Sequence, residues 1–387
     1  MTPLPGTLVA RFESALHRMR DGRTLDALAL TRHDRLVHQD YAREHALGLR
    51  CIGESARWHA VDSEAGRYAF GALLPFTRAA RIFGLEVVWT LLDRGWPAGL
   101  DPMTPAFVTR FAAFARAFAR FLASEGLERS AIVPIHEIAT LAAGGAEHGE
   151  LEPFHEERGF ELQCQLVRAA LAAAAAIREV LPHARLLSAE PARHVVALPA
   201  HPEDADAAAV HAARRFLVFD MLAGRAWPQL VGDPGVLDAV GLTFHPRSQW
   251  YYRGPRHPGP AVSPETRDWR PLRELVMELG GRYARPVYLA GTSAEAPLQR
   301  DWLRYVGREL RAAHLAGIDI VGIALHPAVD CPPWRCERRA FGGLWGRPDA
   351  DGMRPVDPAL AHEVVAQRED FARMATVRDA TFAGPAL

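Results

Sequence analysis

The chain has 387 residues, of which 49% are hydrophobic and 24% are charged, enough for a large core and a solvated surface. A formal net charge of −1 gives no overall basic field and argues against nucleic acid as a partner. The N-terminus shows no basic segment followed by a long apolar run, and no apolar window reaches about 18 residues, so neither a secretory signal nor a membrane span is predicted.

The cysteine content indicates the cellular compartment. Four cysteines, at positions 51, 164, 331 and 336, are typical of a reducing compartment, so a cytoplasmic location is predicted. Cys331 and Cys336 could pair or bind a metal, but no further cysteine or histidine pair of zinc spacing accompanies them. Free cysteines in a loop are the favoured interpretation, and neither a metal nor a cofactor is expected.

From the N-terminus onward, short apolar segments alternate with longer amphipathic helical patterns. The predicted strands are Leu8–Glu13, Gly48–Ile52, Glu86–Leu91, Ala131–Ile135, Ala184–Ser188, Ala239–Phe244, Pro286–Leu289 and Ile320–Ala324. The predicted helices are His33–His45, Ala72–Phe83, Pro105–Glu125, His155–Val180, Ala205–Leu222, Arg267–Gly280, Asp301–Ala316 and Pro358–Thr376. This alternation indicates parallel βα units, and strands that are apolar on both faces suit a barrel covered by helices.

A single-domain (β/α)8 TIM barrel covering residues 1–387 is therefore the predicted architecture. A doubly wound α/β sheet is the alternative, but no glycine-rich phosphate loop follows the first strand. Two long loops, at about residues 246–266 and 327–356, are rich in Pro, Gly, Arg and Trp. Long ordered loops in compact domains are commonly lids or binding loops, so both are expected near the active site.

The active sites of such barrels lie at the C-terminal ends of the strands. The polar residues predicted there are Ser14, His17, Arg18, Glu54, Arg57, Trp58, His59, Asp93, Arg94, Trp96, His136, Glu137, Glu190, His245, Arg247, Trp250, Thr292, Ser293, Glu295, His326, Asp330 and Trp334. Such a mixture binds sugars, because aromatic rings stack on C–H faces and charged groups bond to hydroxyls. A polar pocket is the favoured interpretation of the set, whereas any single member can equally be a loop anchor.

Ten segments, in order along nearly the whole chain, carry a resemblance to a known family. They are Phe12–His17, Thr31–Asp34, Arg57–His59, Gly66–Tyr68, Gly95–Pro97, Pro134–Glu137, Phe219–Arg225, Gly241–Pro246, Trp302–Tyr305 and Gly343–Trp345. In this order and spacing the chain resembles the β-glucosidase-like glycoside hydrolases of the large (β/α)8 clan, in particular a bacterial branch related to family 1.

The resemblance implies a pair of catalytic glutamates, of which this chain keeps one. In the family the fourth strand ends in Asn-Glu, whose Glu is the acid/base; Glu137 keeps that place and His136 replaces the Asn. The family's nucleophilic Glu ends the seventh strand, where this chain has Gly291. The third strand usually carries a sugar-binding His where Asp93 stands, and the sixth carries Asn-Tyr-Tyr where this chain reads Thr243-Phe-His245.

Glycine deletes both the charge and the side chain of the nucleophile, so ordinary retaining hydrolysis is expected to be lost or very slow. The first hypothesis is a carbohydrate-active enzyme with altered chemistry, in which Glu137 is the general acid, His136 assists it and another carboxylate activates water. The candidates for that base are Glu190, Asp93, Glu54 and Glu295. The second hypothesis is a catalytically inactive relative that binds a glycan or serves as the partner or scaffold of another enzyme.

The predicted ligand is a carbohydrate or glycoside. The candidate binding residues are His17, Arg57, Trp58, His245, Trp250, Trp334 and Trp345, the last being equally expected as a core aromatic under the final loop. Metal-assisted hydrolysis is a third and less favoured hypothesis, because the histidines at the strand ends lack a close ligand pair. No membrane partner is expected, and the sequence sets no oligomeric state.

Overall fold

The computed structural model describes residues 8–62, 64, 66–254, 259–332 and 342–382. Eight parallel strands close into a barrel in which each strand pairs with its neighbours in chain order, and β8 pairs with β1. They are β1 Leu8–Arg11, β2 Cys51–Ser55, β3 Glu86–Leu92, β4 Ala131–Ile135, β5 Arg185–Pro191, β6 Ala239–Thr243, β7 Val287–Thr292 and β8 Ile320–Leu325. The predicted (β/α)8 barrel is confirmed.

Helices surround the barrel. The longer ones are α1 His33–Ala46, α2 Leu74–Phe83, α3 Pro105–Ser124, α4 Gly159–Val180, α5 Ala205–Ala213, α6 Leu217–Leu222, α7 Leu272–Tyr283, α8 Gln299–Leu315 and α9 Pro358–Phe382. Among the described residues, three short α-helices lie in loops that follow strands or connect them to the outer helices: Ala27–Thr31, Trp58–Val61 and Ile138–Ala142. Two short strand pairs decorate the loops, Leu16–Arg18 with Thr24–Asp26 and His194–Val196 with Gln249–Tyr251.

Some element boundaries differ from the sequence prediction for local reasons. Strand β2 starts at Cys51, because Gly48 has a φ of +79° and ends the turn after α1. Helix α4 starts at Gly159, since Phe154 and Glu157 have φ values of +63° and +59° that no helix continues. The predicted helix 205–222 is divided into α5 and α6 by a 3₁₀ turn.

The core has two shells. Small and β-branched side chains fill the inside of the barrel, among them Val9, Val133 and Ala290. The larger shell lies between strands and helices, where phenylalanines at 107, 111, 114 and 118 form one face of α3 and are all fully buried. Their spacing of three and four residues is that of a helix face, and each buried ring contributes roughly 2–3 kcal/mol.

Helix α4 is the one described helix long and apolar enough to cross a bilayer by length and composition. Within the most apolar window of this helix, 56% is buried inside the protein. It packs against α3 in the outer shell, as a core helix does.

Candidate active site

Strand β1 directs polar side chains into the barrel mouth, the open end of the barrel at the C-terminal ends of its strands. It does so because successive side chains point to opposite faces of a strand. Ala10 and Phe12 belong to the outer shell and Val9 to the inner one. The same alternation turns Arg11 and Glu13 inward, at the C-terminal end of the strands.

Arg11 holds two partners across the barrel. Its Nη2 donates to Asp93 Oδ2 at 2.6 Å, and its Nη1 donates to His136 Nε2 at 2.9 Å. Gly53 in β2 leaves the room for this side chain, since a Cβ at that position would lie 2.9 Å from Arg11 Cγ. Asp93 Oδ1 also lies 3.5 Å from Arg94 Nη1, so the Asp93 carboxylate is neutralised by two guanidinium groups.

The contact with Arg11 sets the tautomer of His136. A guanidinium only donates, so His136 Nε2 accepts and the ring proton is on Nδ1. Burial and the positive charge of Arg11 lower the pKa of His136 to about 4, so the imidazole is neutral at pH 7. Its Nδ1 is buried without a hydrogen-bond partner among the described residues and lies 3.9 Å from Asp93 Oδ1.

Glu137 follows β4 in a left-handed conformation, with φ of +53°, and its N–H donates to Ala189 O at 2.9 Å. The hydroxyl of Thr243 donates to Glu137 Oε1. Burial opposes the charge on Glu137, but His136, the Thr243 hydroxyl and Arg94 together lower its pKa to about 2. His136 is neutral at pH 7, so at that pH the Thr243 hydroxyl and the Arg94 guanidinium are the groups that stabilise the charged form of Glu137. Glu137 is therefore an anion.

Gly291 lies beside Thr243 in the β6–β7 register, at the same end of the barrel as Glu137. A Cβ on Gly291 would lie 3.4 Å from Thr243 Cγ2 and 3.6 Å from His326 Cβ, which are ordinary van der Waals contacts. The first atom of a side chain therefore fits at this position without displacing a neighbour.

Glu13 and His326 form a second acid–imidazole pair at the mouth. Glu13 Oε2 lies 3.2 Å from His326 Nε2, and the two side chains are only 10% and 19% exposed. Burial alone would raise the pKa of Glu13, but His326, Arg94 and Arg11 hold it well below its usual range. Glu13 is therefore an anion on the β1–β8 side of the barrel.

The other predicted bases are engaged elsewhere. Glu190 accepts the N–H groups of Ile138 and Ala139 at 2.8 and 3.0 Å, so it caps the short helix after Glu137, and burial raises its pKa to about 8. Glu54 points into the outer shell, where it accepts from Tyr41 and contacts His33 at 2.9 Å. Glu295 lies exposed in the loop after β7.

Two predicted ligand-binding histidines are near the mouth. His17 lines a cleft with Arg94 and Trp96, and burial together with Arg94 lowers its pKa to about 4. His245 follows β6 and is half-buried, with its Nδ1 3.3 Å from the backbone N of Ser293. Burial lowers its pKa as well.

Most of the tryptophans predicted to bind the ligand do not lie at the barrel mouth. Trp58 is fully buried against α3, and its indole N–H donates to Asp62. Trp345 is 8% exposed and donates to Glu44 of α1 at 2.8 Å, so it is a core aromatic. Trp250 is half-buried in the short strand pair of the loop after β6, and Trp334 lies outside the described residues.

The side chain of Arg57 also forms an ion pair, in which its Nη2 donates to Asp26 at 2.5 Å. Cys51, Cys164 and Cys331 are free, and Cys336 lies outside the described residues. In the part of the chain that the structure describes, no three His, Cys, Asp or Glu side chains are grouped to hold a metal ion.

Three mouth residues were not among the sequence-predicted site residues: Arg11, Glu13 and Thr243. The inward–outward alternation of β1 could have identified the first two, because an arginine and a glutamate on the Val9 side of a barrel strand must enter its interior. Thr243 carries no such signal from strand alternation, and only its place at the family's Asn-Tyr-Tyr position marks it in the sequence.

Solved structures resemble this chain over almost its full length. The β-glucosidase from Thermotoga maritima in complex with glucoimidazole matches 95% of this chain and 99% of its own, with a TM-score of 0.77 at 15% identity. Its complex with castanospermine gives the same values. A hyperthermophilic β-glucosidase mutant matches 94% of this chain and 100% of its own, with a TM-score of 0.74 at 14% identity.

No protein-family model and no curated protein matches the sequence. At these identities the structural likeness concerns the fold. The chain therefore has the barrel fold of the family 1 β-glucosidases.

Proposed function

We propose that this protein is a glycoside hydrolase-like barrel that binds a carbohydrate at its mouth, with Glu137 as the central polar contact. The observation that carries the proposal is the placement of the Glu137 anion at the C-terminal end of the barrel, among Thr243, Arg94 and His245. A half-buried anion held by donors forms strong hydrogen bonds to hydroxyl groups. The β-glucosidase structures with the same fold hold glucoimidazole and castanospermine, which supports a sugar-like ligand here.

The arrangement does not favour ordinary retaining hydrolysis. Gly291 supplies no nucleophile, Asp93 is paired with Arg11 and Arg94, and Glu190 accepts two backbone N–H groups. The low pKa of Glu137 also leaves no proton on this carboxyl at pH 7, so the free protein has no acid there for a leaving group. Binding without a covalent glycosyl intermediate is the function this chemistry supports.

Isothermal titration calorimetry tests the binding. Glucose, cellobiose and deoxynojirimycin are titrated into the wild type, Glu137→Gln and Glu128→Gln, the last being an exposed glutamate before β4. At least one ligand is expected to bind the wild type, and Glu137→Gln should weaken it roughly 10–100-fold, because a hydrogen bond to a charged group is lost. Glu128→Gln should bind as the wild type does. Equal affinity of wild type and Glu137→Gln would contradict the proposal.

A second candidate is an inactive barrel that serves as a partner or scaffold of another enzyme. The observation that favours it is the Arg11 side chain, which crosses the mouth and occupies space between Asp93 and His136. The same titration separates the two candidates, since a scaffold would bind none of the three sugars.

A further inference from the structure

The space over Gly291 is bordered by a carboxylate–imidazole pair that belongs to other strands. His326 follows β8, and Glu13 follows β1, the neighbouring strand in the barrel. A Cβ on Gly291 would lie 3.8 Å from His326 Nδ1, so this ring nitrogen borders the space that a side chain would occupy. On its other side the same space is bordered by Thr243, which holds Glu137.

The two nitrogens of His326 face different surroundings. Nε2 is buried and lies 3.2 Å from Glu13 Oε2 without the geometry of a hydrogen bond, so it is the charge of this carboxylate that favours a proton on that nitrogen. In the neutral ring the lone pair is then on Nδ1, the nitrogen that borders the space over Gly291. A carboxylate that fixes the tautomer and stabilises the charged ring is the arrangement that makes a histidine a general base.

Water can reach the His326 side chain. A small cavity of about 30 Å³ touches this residue, and Ser293, Leu303, Gly342 and Leu344 are among its other lining residues. The His326 side chain keeps 19% of its surface exposed, more than Glu13 with 10%. A water molecule in the space over Gly291 would meet His326 Nδ1, the nearest polar atom to that space.

We propose that His326 is a general base, positioned by Glu13, that activates water in the space over Gly291 for a single displacement at the anomeric carbon of a bound glycoside. The inference rests on the proposed function, because it needs a sugar at the mouth. His326 Nδ1 takes a proton from water, the water oxygen forms the new bond to the anomeric carbon, and the bond to the leaving group breaks. The leaving group departs with the bonding electron pair, and the imidazolium returns its proton to solvent.

The substrate class follows from the other side of the mouth. Glu137 accepts the hydrogen bond of the Thr243 hydroxyl and is an anion with no proton to give, so the leaving group must depart without protonation. Glycosides of acidic phenols and glycosyl fluorides meet this condition, whereas alkyl glycosides and disaccharides do not. The reaction inverts the anomeric configuration, since one displacement occurs and no covalent intermediate forms.

Proton NMR of the hydrolysis of dinitrophenyl β-glucoside is the test. The wild type is expected to release α-glucose first, before mutarotation, and His326→Asn should lower kcat/KM at least about 100-fold. His183→Asn is the matched control, because this histidine is exposed before β5 at the opposite end of the barrel. It should leave the rate unchanged.

Glu13→Gln distinguishes positioning from a structural role. Removing the anion leaves the ring free to adopt either tautomer but does not touch the sugar, so kcat should fall about 10-fold while KM stays that of the wild type. A loss of folding would instead lower the amount of active protein and would show in the circular dichroism spectrum.

The outcomes separate this inference from the proposed function. Sugar binding without hydrolysis, release of β-glucose first, or a His326→Asn rate equal to that of the wild type overturns the base assignment and leaves the binding proposal standing. The absence of binding to glucose, cellobiose and deoxynojirimycin removes both.

Discussion

At the scale of single residues, Gly291 determines which reactions the barrel mouth can support. Its neighbours Thr243 and His326 leave ordinary contact distances for a Cβ, so the strand accepts the first atom of a side chain there. What the position lacks is a nucleophile. Restoring a carboxylate should thus restore the covalent step of a double displacement.

We predict that Gly291→Glu forms a stoichiometric covalent adduct with a dinitrophenyl 2-fluoroglucoside and that the wild type forms none. The fluorine slows breakdown of the intermediate, and the leaving group needs no proton from Glu137. Intact-protein mass spectrometry measures the adduct. Gly291→Gln is the control, because it has the same size and no nucleophile. An adduct on the wild type would show that another residue is the nucleophile.

Arg11 is the residue whose removal should cost most stability at the mouth. It is 6% exposed and pairs with Asp93 and His136, so Arg11→Met leaves buried polar groups with fewer partners. We predict a loss of roughly 3–5 kcal/mol in the free energy of unfolding, measured by urea denaturation. Arg67→Met, which breaks an exposed pair with Glu64, should cost less than about 1 kcal/mol. Similar losses in the two variants would refute the assignment.

The candidate site was predictable from sequence only for residues whose position in a strand fixes where the side chain points. His136 and Glu137 end an apolar strand, so their place at the mouth follows from the barrel alone. The partner of each side chain depends on distances across the barrel, which strand positions do not supply. Trp58 and Glu54 show this, because both lie near the end of β2 but are buried in the outer shell.

At the scale of elements, the contact between β2 and α1 is built on buried charge. His33 at the start of α1 lies 2.7 Å from Asp40 and 2.9 Å from Glu54 of β2, and its ring stacks on Phe12 at 3.7 Å. Burial alone would lower the pKa of His33, but the two carboxylates raise it to about 9. Arg354 donates to Asp40 as well and joins the loop after β8 to the same contact.

His33 should therefore make stability depend on pH. Its folded pKa is above the ordinary value of 6.5, so its contribution, about 3 kcal/mol, is present below pH 6.5 and is lost as pH rises through about 9. Urea denaturation at pH 6 and pH 9 measures this loss, which should be smaller in His33→Gln. His45→Gln, an exposed position in the same helix, should behave as the wild type does. An unchanged pH dependence in His33→Gln would disprove the role.

The elements themselves were largely predictable, because hydrophobic periodicity distinguishes strand from helix. All eight barrel strands and most helices lie within a few residues of their predicted positions. The break between α5 and α6 was not predictable, since residues 205–222 are rich in alanine and contain no glycine or proline. Only the packing of the chain there imposes the 3₁₀ turn.

At the scale of the whole molecule, buried ionisable groups have pKa values shifted in both directions. Among the raised pKa values are those of His33, to about 9, and of Glu44 and Glu190, each to about 8, and burial is the largest cause for the two carboxyls. Three histidines have pKa values lowered to about 4, chiefly by burial: His17, His59 and His136. The first set binds protons more tightly in the folded state than in the unfolded state, and the second set binds them less tightly.

These opposite shifts predict a maximum of stability at about pH 6. Below it, the unfolded state gains protons on the histidines with lowered pKa values, so stability is lost as pH falls from 6.5 toward 4. Above it, the folded state must release protons from buried carboxyls, so stability falls by roughly 3 kcal/mol or more between pH 6 and pH 9.

Thermal denaturation from pH 4 to pH 9.5 measures this curve, and Glu44→Gln tests its alkaline limb. Glu44 has Trp345 as its hydrogen-bond donor at 2.8 Å, and a glutamine oxygen can accept the same bond. The variant cannot ionise, so its melting temperature should fall less steeply above pH 6 than that of the wild type. Glu128→Gln, exposed before β4, should leave the curve unchanged. A wild-type melting temperature that rises from pH 6 to pH 9 would mean that buried acids do not govern the stability of this barrel.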